Sequence, residues 1–140
     1  GAAVNAGSQA SVNWPVSGNI VSGYGRHTGP DGVSVWNTGV EFAAAPGSPV
    51  TAPMDGTVAF SGQRDGRGYV VLQHEGGVSS HYANIRSALN IGDLVSEGME
   101  FASVEPDTGN SGPGTAESSG RMRFEVRRGE LALNPEKLLA

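Results

Sequence analysis

The chain has 140 residues, among them 22 glycines, 8 prolines and no cysteine, and its formal net charge at pH 7 is −5. The absence of cysteine excludes a disulfide scaffold and a thiolate metal site, and the negative net charge argues against general binding to nucleic acid. No apolar run reaches the 18 residues expected of a transmembrane helix, so we expect no membrane insertion by this segment.

Two regions are predicted along the chain. Residues 1–13 are small and polar and bury too little apolar surface to order themselves, so we expect a flexible linker there. Residues 14–140 are expected to form one domain that begins at Trp14, because this length supports a single modest core. The many glycines and few aromatic residues are typical of short strands joined by turns. The composition therefore predicts a mainly β fold with little helix.

The first half of the domain carries three local signals. The segment from Trp14 to Gly25 is predicted to form a short strand bounded by turns, with Trp14 at an edge of the core. Residues 26–31 lead into a Gly-Pro-Asp-Gly sequence and are predicted to form a loop. The Asp55-Gly56 pair lies between two short apolar runs and predicts a β-hairpin.

A second hairpin is predicted in the middle of the chain, with strands at residues 66–74 and 78–84. His74 and His81 flank it, and two histidines that face each other across strands are able to bind a metal ion. We favour structural roles for both, because the two-residue period of a strand points His81 to the face opposite Tyr82.

Residues 121–127 have the sequence Arg-Met-Arg-Phe-Glu-Val-Arg, in which charged and apolar residues alternate. This pattern predicts a strand with Met122, Phe124 and Val126 on a buried face and four charged side chains on the other face. A loop rich in Gly, Ser and Pro, residues 107–120, leads directly into the strand. The charged face is therefore expected at the mouth of a loop. A short turn of helix is predicted after Pro135.

Several segments between Trp14 and Pro135 resemble motifs of the lysostaphin/LytM zinc peptidases. They are residues 14–25, 36–43, 46–58, 82–85, 119–127 and 127–135. The resemblance implies the fold of that family, an antiparallel β-sheet sandwich or barrel-like domain.

The chain departs from these enzymes at the positions that carry their chemistry. The enzymes have a zinc-binding histidine and aspartate where this chain has Asn37 and Glu41, and a catalytic histidine where it has Asn84. Their His-Leu-His motif, a catalytic histidine followed by a zinc ligand, is replaced by Arg121-Met122-Arg123. An amide is a poor zinc ligand, and a guanidinium does not lose its proton to bind a metal. The resemblance therefore implies a domain without catalytic residues, metal or other cofactor.

These departures are similar to those of the EnvC-type murein hydrolase activators, a subgroup of the same family. Such proteins bind and activate N-acetylmuramoyl-L-alanine amidases during daughter-cell separation in bacteria with an outer membrane. The resemblance implies a periplasmic amidase as partner, and a location in the periplasm or cell envelope of a Gram-negative bacterium. It also implies that the vacated active-site groove is the partner-binding surface, lined by Asn37, Glu41, Tyr82, Asn84, Arg121 and Arg123.

Two alternatives remain open at this point. The domain is a non-catalytic scaffold of the cell envelope that binds peptidoglycan or another protein without activating an enzyme, or it retains zinc endopeptidase activity through Glu41 and a histidine from elsewhere, such as His27. We favour the amidase activator because all three zinc-ligand positions and both assisting histidines are replaced.

Overall fold

The computed structural model describes residues 14–106 and 120–139. The predicted linker, residues 1–13, and residues 107–119 of the predicted loop lie outside the described residues. The strands are, in chain order, β1 (Asn19–Ser22), β2 (Gly25–Thr28), β3 (Ser34–Asn37), β4 (Val40–Ala43), β5 (Pro49–Thr51), β6 (Gly56–Arg64), β7 (Arg67–Gln73), β8 (Val78–Ala83), β9 (Ile85–Arg86), β10 (Leu94–Val95), β11 (Glu100–Val104), β12 (Arg121–Arg128) and β13 (Leu131–Leu133).

Helix is confined to two short pieces of the described chain. A 3₁₀ turn, Glu75–Gly77, joins β7 to β8, and helix α1, Pro135–Leu139, follows β13 at the predicted place. Neither piece has the length or the apolar character needed to cross a membrane.

The strands form an antiparallel fold dominated by one eight-stranded sheet. Its strand order is β1-β4-β12-β8-β7-β6-β10, with β13 paired to the far end of β12. A three-stranded sheet has the order β5-β11-β9, and β2 pairs with β3 in a separate ribbon. The predicted mainly antiparallel β class is confirmed.

The core lies between the large sheet and the three-stranded sheet. Tyr82 on β8 packs against Phe101 on β11, with ring centroids 5.0 Å apart. The predicted alternation of β12 is confirmed, because Met122, Phe124 and Val126 are fully buried while the residues between them are partly exposed. One face of β12 therefore belongs to the core and the other faces outward.

The hairpin predicted at Asp55-Gly56 does not form. Strand β5 pairs instead with β11, and β6 pairs with β7 and β10. Val50 is fully buried in the small sheet, so the turn carries the chain from one sheet to the other. Burial of Val50 overrides the local turn signal, since a hairpin would keep both strands in one sheet.

The loop predicted at residues 26–31 is also wrong in part. Arg26, His27 and Thr28 belong to β2, which pairs with β3 in register from Gly25↔Asn37 to Thr28↔Ser34. The turn itself spans Gly29 to Val33 and is closed by a bond from the Gly29 amide to the Val33 carbonyl. The Gly-Pro-Asp-Gly sequence predicted the turn correctly, but the predicted loop began three residues too early, at residue 26.

Strand β8 leaves the large sheet at Asn84, and this departure shapes the outer face. Asn84 adopts a positive φ of 71°, and the next residue begins β9 in the small sheet. The crossing is tight, because a Cβ at Gly68 would lie 1.7 Å from the carbonyl oxygen of Ile85. Glycine at position 68 therefore allows the chain to pass over β7.

We predict that Gly68→Ala lowers the free energy of unfolding by at least about 2 kcal/mol, because its methyl group would overlap a backbone carbonyl that has no room to shift. Gly23→Ala is the matched control, since its nearest contact would be 3.4 Å away and ordinary. Urea denaturation of both variants measures the difference, and equal stabilities would contradict the tight crossing.

Candidate functional site

A groove crosses the outer face of the large sheet at right angles to the strands. The strand registers place Gly62, Tyr69, Ala83, Arg123 and Glu41 side by side on five neighbouring strands. The small side chain of Ala83 lowers the floor at the centre. The groove has a volume of about 410 Å³ and is lined by Glu41, Arg64, Asp65, Arg67, Tyr69, Ala83, Asn84, Arg121, Arg123, Glu125 and Arg127.

Arg123 bonds to three neighbouring side chains of the groove region. Its guanidinium donates to Asn37 Oδ1 at 2.8 Å and to Thr38 Oγ1 at 3.0 Å. It also donates to Glu125 Oε2 through Nε at 3.2 Å and through Nη2 at 2.7 Å. Arg123 therefore ties the turn between β3 and β4 to the outer face of β12.

Glu125 is the acceptor that organises the charges around it. Arg127 donates to its second oxygen, Oε1, through Nη2 at 2.7 Å and through Nε at 3.0 Å, and Thr38 donates to Oε2 at 2.8 Å. Burial acts to raise the pKa of Glu125, but the hydrogen bonds from Arg123, Arg127 and Thr38 outweigh it and lower the pKa to about 2. Glu125 is consequently ionised and satisfied at neutral pH.

Arg121 and Glu41 form a second, more exposed pair at the rim of the groove. Arg121 Nη1 lies 3.2 Å from Glu41 Oε1, and the two side chains are 47% and 34% exposed. A pair this open to solvent contributes little to stability. Both side chains are therefore accessible to a ligand that enters the groove.

Asn84 lies in the groove but is occupied by the backbone. Its side-chain amide donates to the carbonyl oxygens of Arg121 at 2.6 Å and Glu105 at 3.2 Å. The side chain is nearly buried. Asn84 thus holds the point where β8 leaves the sheet and offers no titrating group to a reaction.

Tyr82 does not line the groove, contrary to the sequence-based prediction. It is fully buried on the opposite face of β8, because its neighbours at positions 81 and 83 point outward. Its hydroxyl lies 2.8 Å from Ser80 Oγ, and burial raises the pKa of the Tyr82 phenol above its ordinary value. Tyr82 is a core residue.

His74 and His81 lie on opposite faces of the sheet and do not form a pair. His74 Nδ1 donates to the Asp55 carbonyl at 2.7 Å, and its Nε2 lies 2.7 Å from Ser80 Oγ within the core. His81 contacts Tyr69 Oη at 3.2 Å on the outer face. Burial lowers the pKa of His81, and the positive charge of Arg127 acts in the same direction. Both histidines have the structural surroundings that we favoured.

The residues at the family's zinc positions do not fit a zinc ion. Asn37 Oδ1 already accepts bonds from Arg123 and from the Gly39 amide, and the Arg123 guanidinium is no metal ligand. Glu41 alone supplies a carboxylate, and a zinc site needs three or four donors. Across residues 14–106 and 120–139, no three His, Cys, Asp or Glu side chains come close enough to hold a metal ion. His27, the alternative ligand, lies on β2 with Nε2 bonded to the Gly23 carbonyl at 2.7 Å.

Seven groove residues were not among the predicted site residues: Arg64, Asp65, Arg67, Tyr69, Ala83, Glu125 and Arg127. Arg127 shares the outward face of β12 with Arg121 and Arg123, so the alternation of that strand already contained its signal. Arg64 and Arg67 flank Asp65-Gly66, and both central residues have positive φ. Positive φ at both central residues is typical of the two-residue turn of a hairpin. The Asp65-Gly66 sequence therefore contained a signal that the two arginines lie side by side.

Comparisons with known proteins agree with this fold. The model of the family described as Peptidase family M23 matches residues 36–135. The chain also resembles the solution structure of lysostaphin, with a TM-score of 0.70 and 23% identity, over 92% of this chain and 53% of that one. At this identity the likeness shows the fold alone.

The chain is also similar to several bacterial proteins. The chain is 33% identical over 101 residues to DD-carboxypeptidase/endopeptidase Mpg of Neisseria meningitidis, a match covering 71% of this chain and 22% of that protein. It is 26% identical over 129 residues to cell division protein DipM of Caulobacter vibrioides (90% and 19%). It is 28% identical over 131 residues to outer membrane antigenic lipoprotein B of Haemophilus influenzae (90% and 28%). The chain therefore spans between about a fifth and just over a quarter of these relatives.

We predict that Glu125→Gln reduces the dependence of stability on acid pH. Because the folded-state pKa of about 2 lies below the ordinary value of 4.5, the stability from Glu125 is present above about pH 5 and is lost as pH falls toward 2. The free energy of unfolding contributed by Glu125, and lost over this pH range, is on the order of 3 kcal/mol. Urea denaturation at several pH values measures it.

Glu130→Gln is the control for this experiment, because Glu130 is an exposed residue outside the groove. We expect it to leave the slope of stability against pH between pH 5 and 2 unchanged. A Glu125→Gln variant with the wild-type slope would show that the carboxylate is not held by the arginines.

We also predict that the protein incubated with equimolar zinc and desalted retains less than stoichiometric metal, since two of the three ligand positions offer no suitable donor. The combined variant Asn37→His, Glu41→Asp, Arg123→His restores imidazole and carboxylate donors and is expected to gain zinc. Elemental analysis by mass spectrometry measures both. One zinc ion bound per wild-type chain would contradict the conclusion that these residues do not fit zinc.

Proposed function

The chain belongs to peptidase family M23, and we propose that it is a non-catalytic member that binds and activates a peptidoglycan amidase. The observation that carries the proposal is the Arg123 network. At the position where the enzymes have a zinc ligand, a guanidinium is bonded to Asn37, Thr38 and Glu125. A side chain that is permanently cationic and fully engaged does not support hydrolysis by metal-activated water.

The residues at the positions of the assisting histidines support the same conclusion. Arg121 is held by Glu41, and Asn84 is bonded to two backbone carbonyls. Neither side chain exchanges a proton near neutral pH. General acid–base chemistry is therefore missing from these two positions.

A binding function is consistent with what remains in the groove. Five arginines and three carboxylates line it, and charged residues of this kind select a partner and orient it. Activation requires that the domain bind the active form of the amidase more tightly than the inhibited form. A preference of about a hundredfold would correspond to 2.7 kcal/mol of bias between the two forms.

The names of two relatives support a location in the cell envelope. One is a cell division protein and another an outer membrane lipoprotein, so we propose a periplasmic location and a role in daughter-cell separation. The similarity to a carboxypeptidase/endopeptidase means that family membership alone does not decide between enzyme and activator. The residues of the groove favour the activator.

Dye release from labelled sacculi tests the proposal. The domain is assayed alone and together with each amidase of its own organism. We expect no release by the domain alone and faster release in combination. Release by the domain alone would overturn the loss of catalysis. No effect in any combination would overturn activation, and sedimentation with unlabelled sacculi would then show whether the groove binds peptidoglycan as a scaffold.

We predict that Arg121→Glu reduces the stimulation of the amidase about tenfold or more, because a rim cation becomes an anion beside Glu41. Arg121 is preferred over Arg123, whose reversal would place a second carboxylate beside Glu125 and disturb the fold. Arg128→Glu, an exposed change outside the groove lining, is the matched control. Equal stimulation by both variants would contradict docking in the groove.

A further inference from the structure

The departure of β8 opens a gap in the outer face of the large sheet. Tyr69 on β7 and Arg123 on β12 both pair with Ala83, the last residue of β8. Two residues further, Arg67 and Arg121 have no β8 residue between them, because the chain has turned away at Asn84. Neighbouring strands are about 4.8 Å apart, so among the described residues β7 and β12 flank a gap about 10 Å wide.

Two arginines stand on the β7 side of this gap. Arg64 and Arg67 face each other across the Asp65-Gly66 turn, and the Arg64 guanidinium lies 5.0 Å from the centre of the Tyr69 ring. Within the described part of the chain, the Arg67 side chain makes no hydrogen bond or ion pair. Like charges directly opposite each other in a sheet are unfavourable, and an anion bound between the walls would relieve the repulsion.

The arginines of the groove are of two kinds. Arg123 and Arg127 are each bonded to Glu125 through two nitrogens, so a ligand would have to compete with these internal bonds. Arg64 and Arg67 are exposed at the gap, and Arg121, which is bonded to Glu41 at the rim, has a side chain that is 47% exposed. The groove has two more cations than carboxylates, although the whole chain has a net charge of −5. Attraction for an anion is therefore concentrated at this one place.

We infer that the gap binds an acidic, extended peptide segment of the partner, with Arg64 and Arg67 on one wall and Arg121 on the other. The inference rests on the proposed function, which makes the partner a protein. Successive side chains of an extended segment point to opposite sides, so neighbouring acidic residues reach both walls. Each guanidinium offers two parallel bonds to a carboxylate.

The test measures binding of a fluorescent hexaglutamate peptide to the 140-residue protein at low salt, with hexaglutamine as the uncharged probe. We expect hexaglutamate alone to bind and the affinity to fall as salt is raised. Arg67→Gln is expected to weaken binding about tenfold, and Arg64→Gln with Arg67→Gln to abolish measurable binding. Thermal unfolding of each variant shows that these exposed changes leave the fold intact.

Arg128→Gln is the matched control, since it removes the same charge outside the groove lining. A similar loss of affinity in this variant would overturn the inference, because binding would then follow net charge. Tighter binding of a galacturonic acid oligomer than of hexaglutamate, through the same arginines, would assign the gap to an acidic glycan and also overturn it.

The same variants in the sacculus assay separate this inference from the proposed function. Stimulation of the amidase that survives Arg67→Gln unchanged would overturn the acidic segment while activation stands. Hexaglutamate binding that depends on Arg67, without stimulation of any amidase by the wild type, would overturn activation and support the chemistry of the gap.

Discussion

Strand β12 is hydrogen-bonded on both sides, to β4 and to β8, and the two-residue period of its side chains determines both the core and the groove. Met122, Phe124 and Val126 are fully buried, which leaves no freedom in the register of the strand. The residues between them must then point outward. The position of each groove arginine on β12 is thus a consequence of core packing.

The guanidinium of Arg123 takes over a mechanical task that a metal ion performs in a metalloenzyme. A metal ion joins side chains from separate strands through short bonds. Arg123 joins Asn37 and Thr38, at the β3–β4 turn, to Glu125 on β12 through hydrogen bonds from its guanidinium. The difference is chemical, because a guanidinium activates no water and polarises no carbonyl in the way a Lewis acid does. Glu125 supports this arrangement, because one of its oxygens accepts from Arg123 and the other from Arg127.

The change of sheet at Asn84 gives the outer face its shape. Had β8 continued, the side chain after Ala83 on its outward face would have filled the space between β7 and β12. Instead the chain crosses Gly68 to join the small sheet, and Asn84 secures the crossing with bonds to two carbonyls. The change of sheet at Asn84 therefore covers the core on the inner face of the large sheet and leaves a gap on its outer face.

The sequence by itself determined the fold class, the extent of the family resemblance, the alternation of β12 and the replacement of the family's zinc ligands, because each of these depends on local pattern or on residue identity. It did not determine which strands pair. The Asp55-Gly56 turn leads from one sheet to another, since the burial of Val50 outweighs the local hairpin preference. Tyr82 illustrates the same limit. Its motif predicted that it lines the groove, whereas the strand register directs its side chain into the core.

Only the tertiary structure showed that Arg64 and Arg67 share a groove with Arg121, more than fifty residues away in the chain. Pairing between distant strands brings these charges together, and no short-range pattern records it. The structure also decided which arginines are bonded to Glu125, since that depends on the position of this carboxylate between Arg123 and Arg127. Residue identity fixed the chemistry that is missing from the groove, whereas three-dimensional packing fixed the chemistry that it offers.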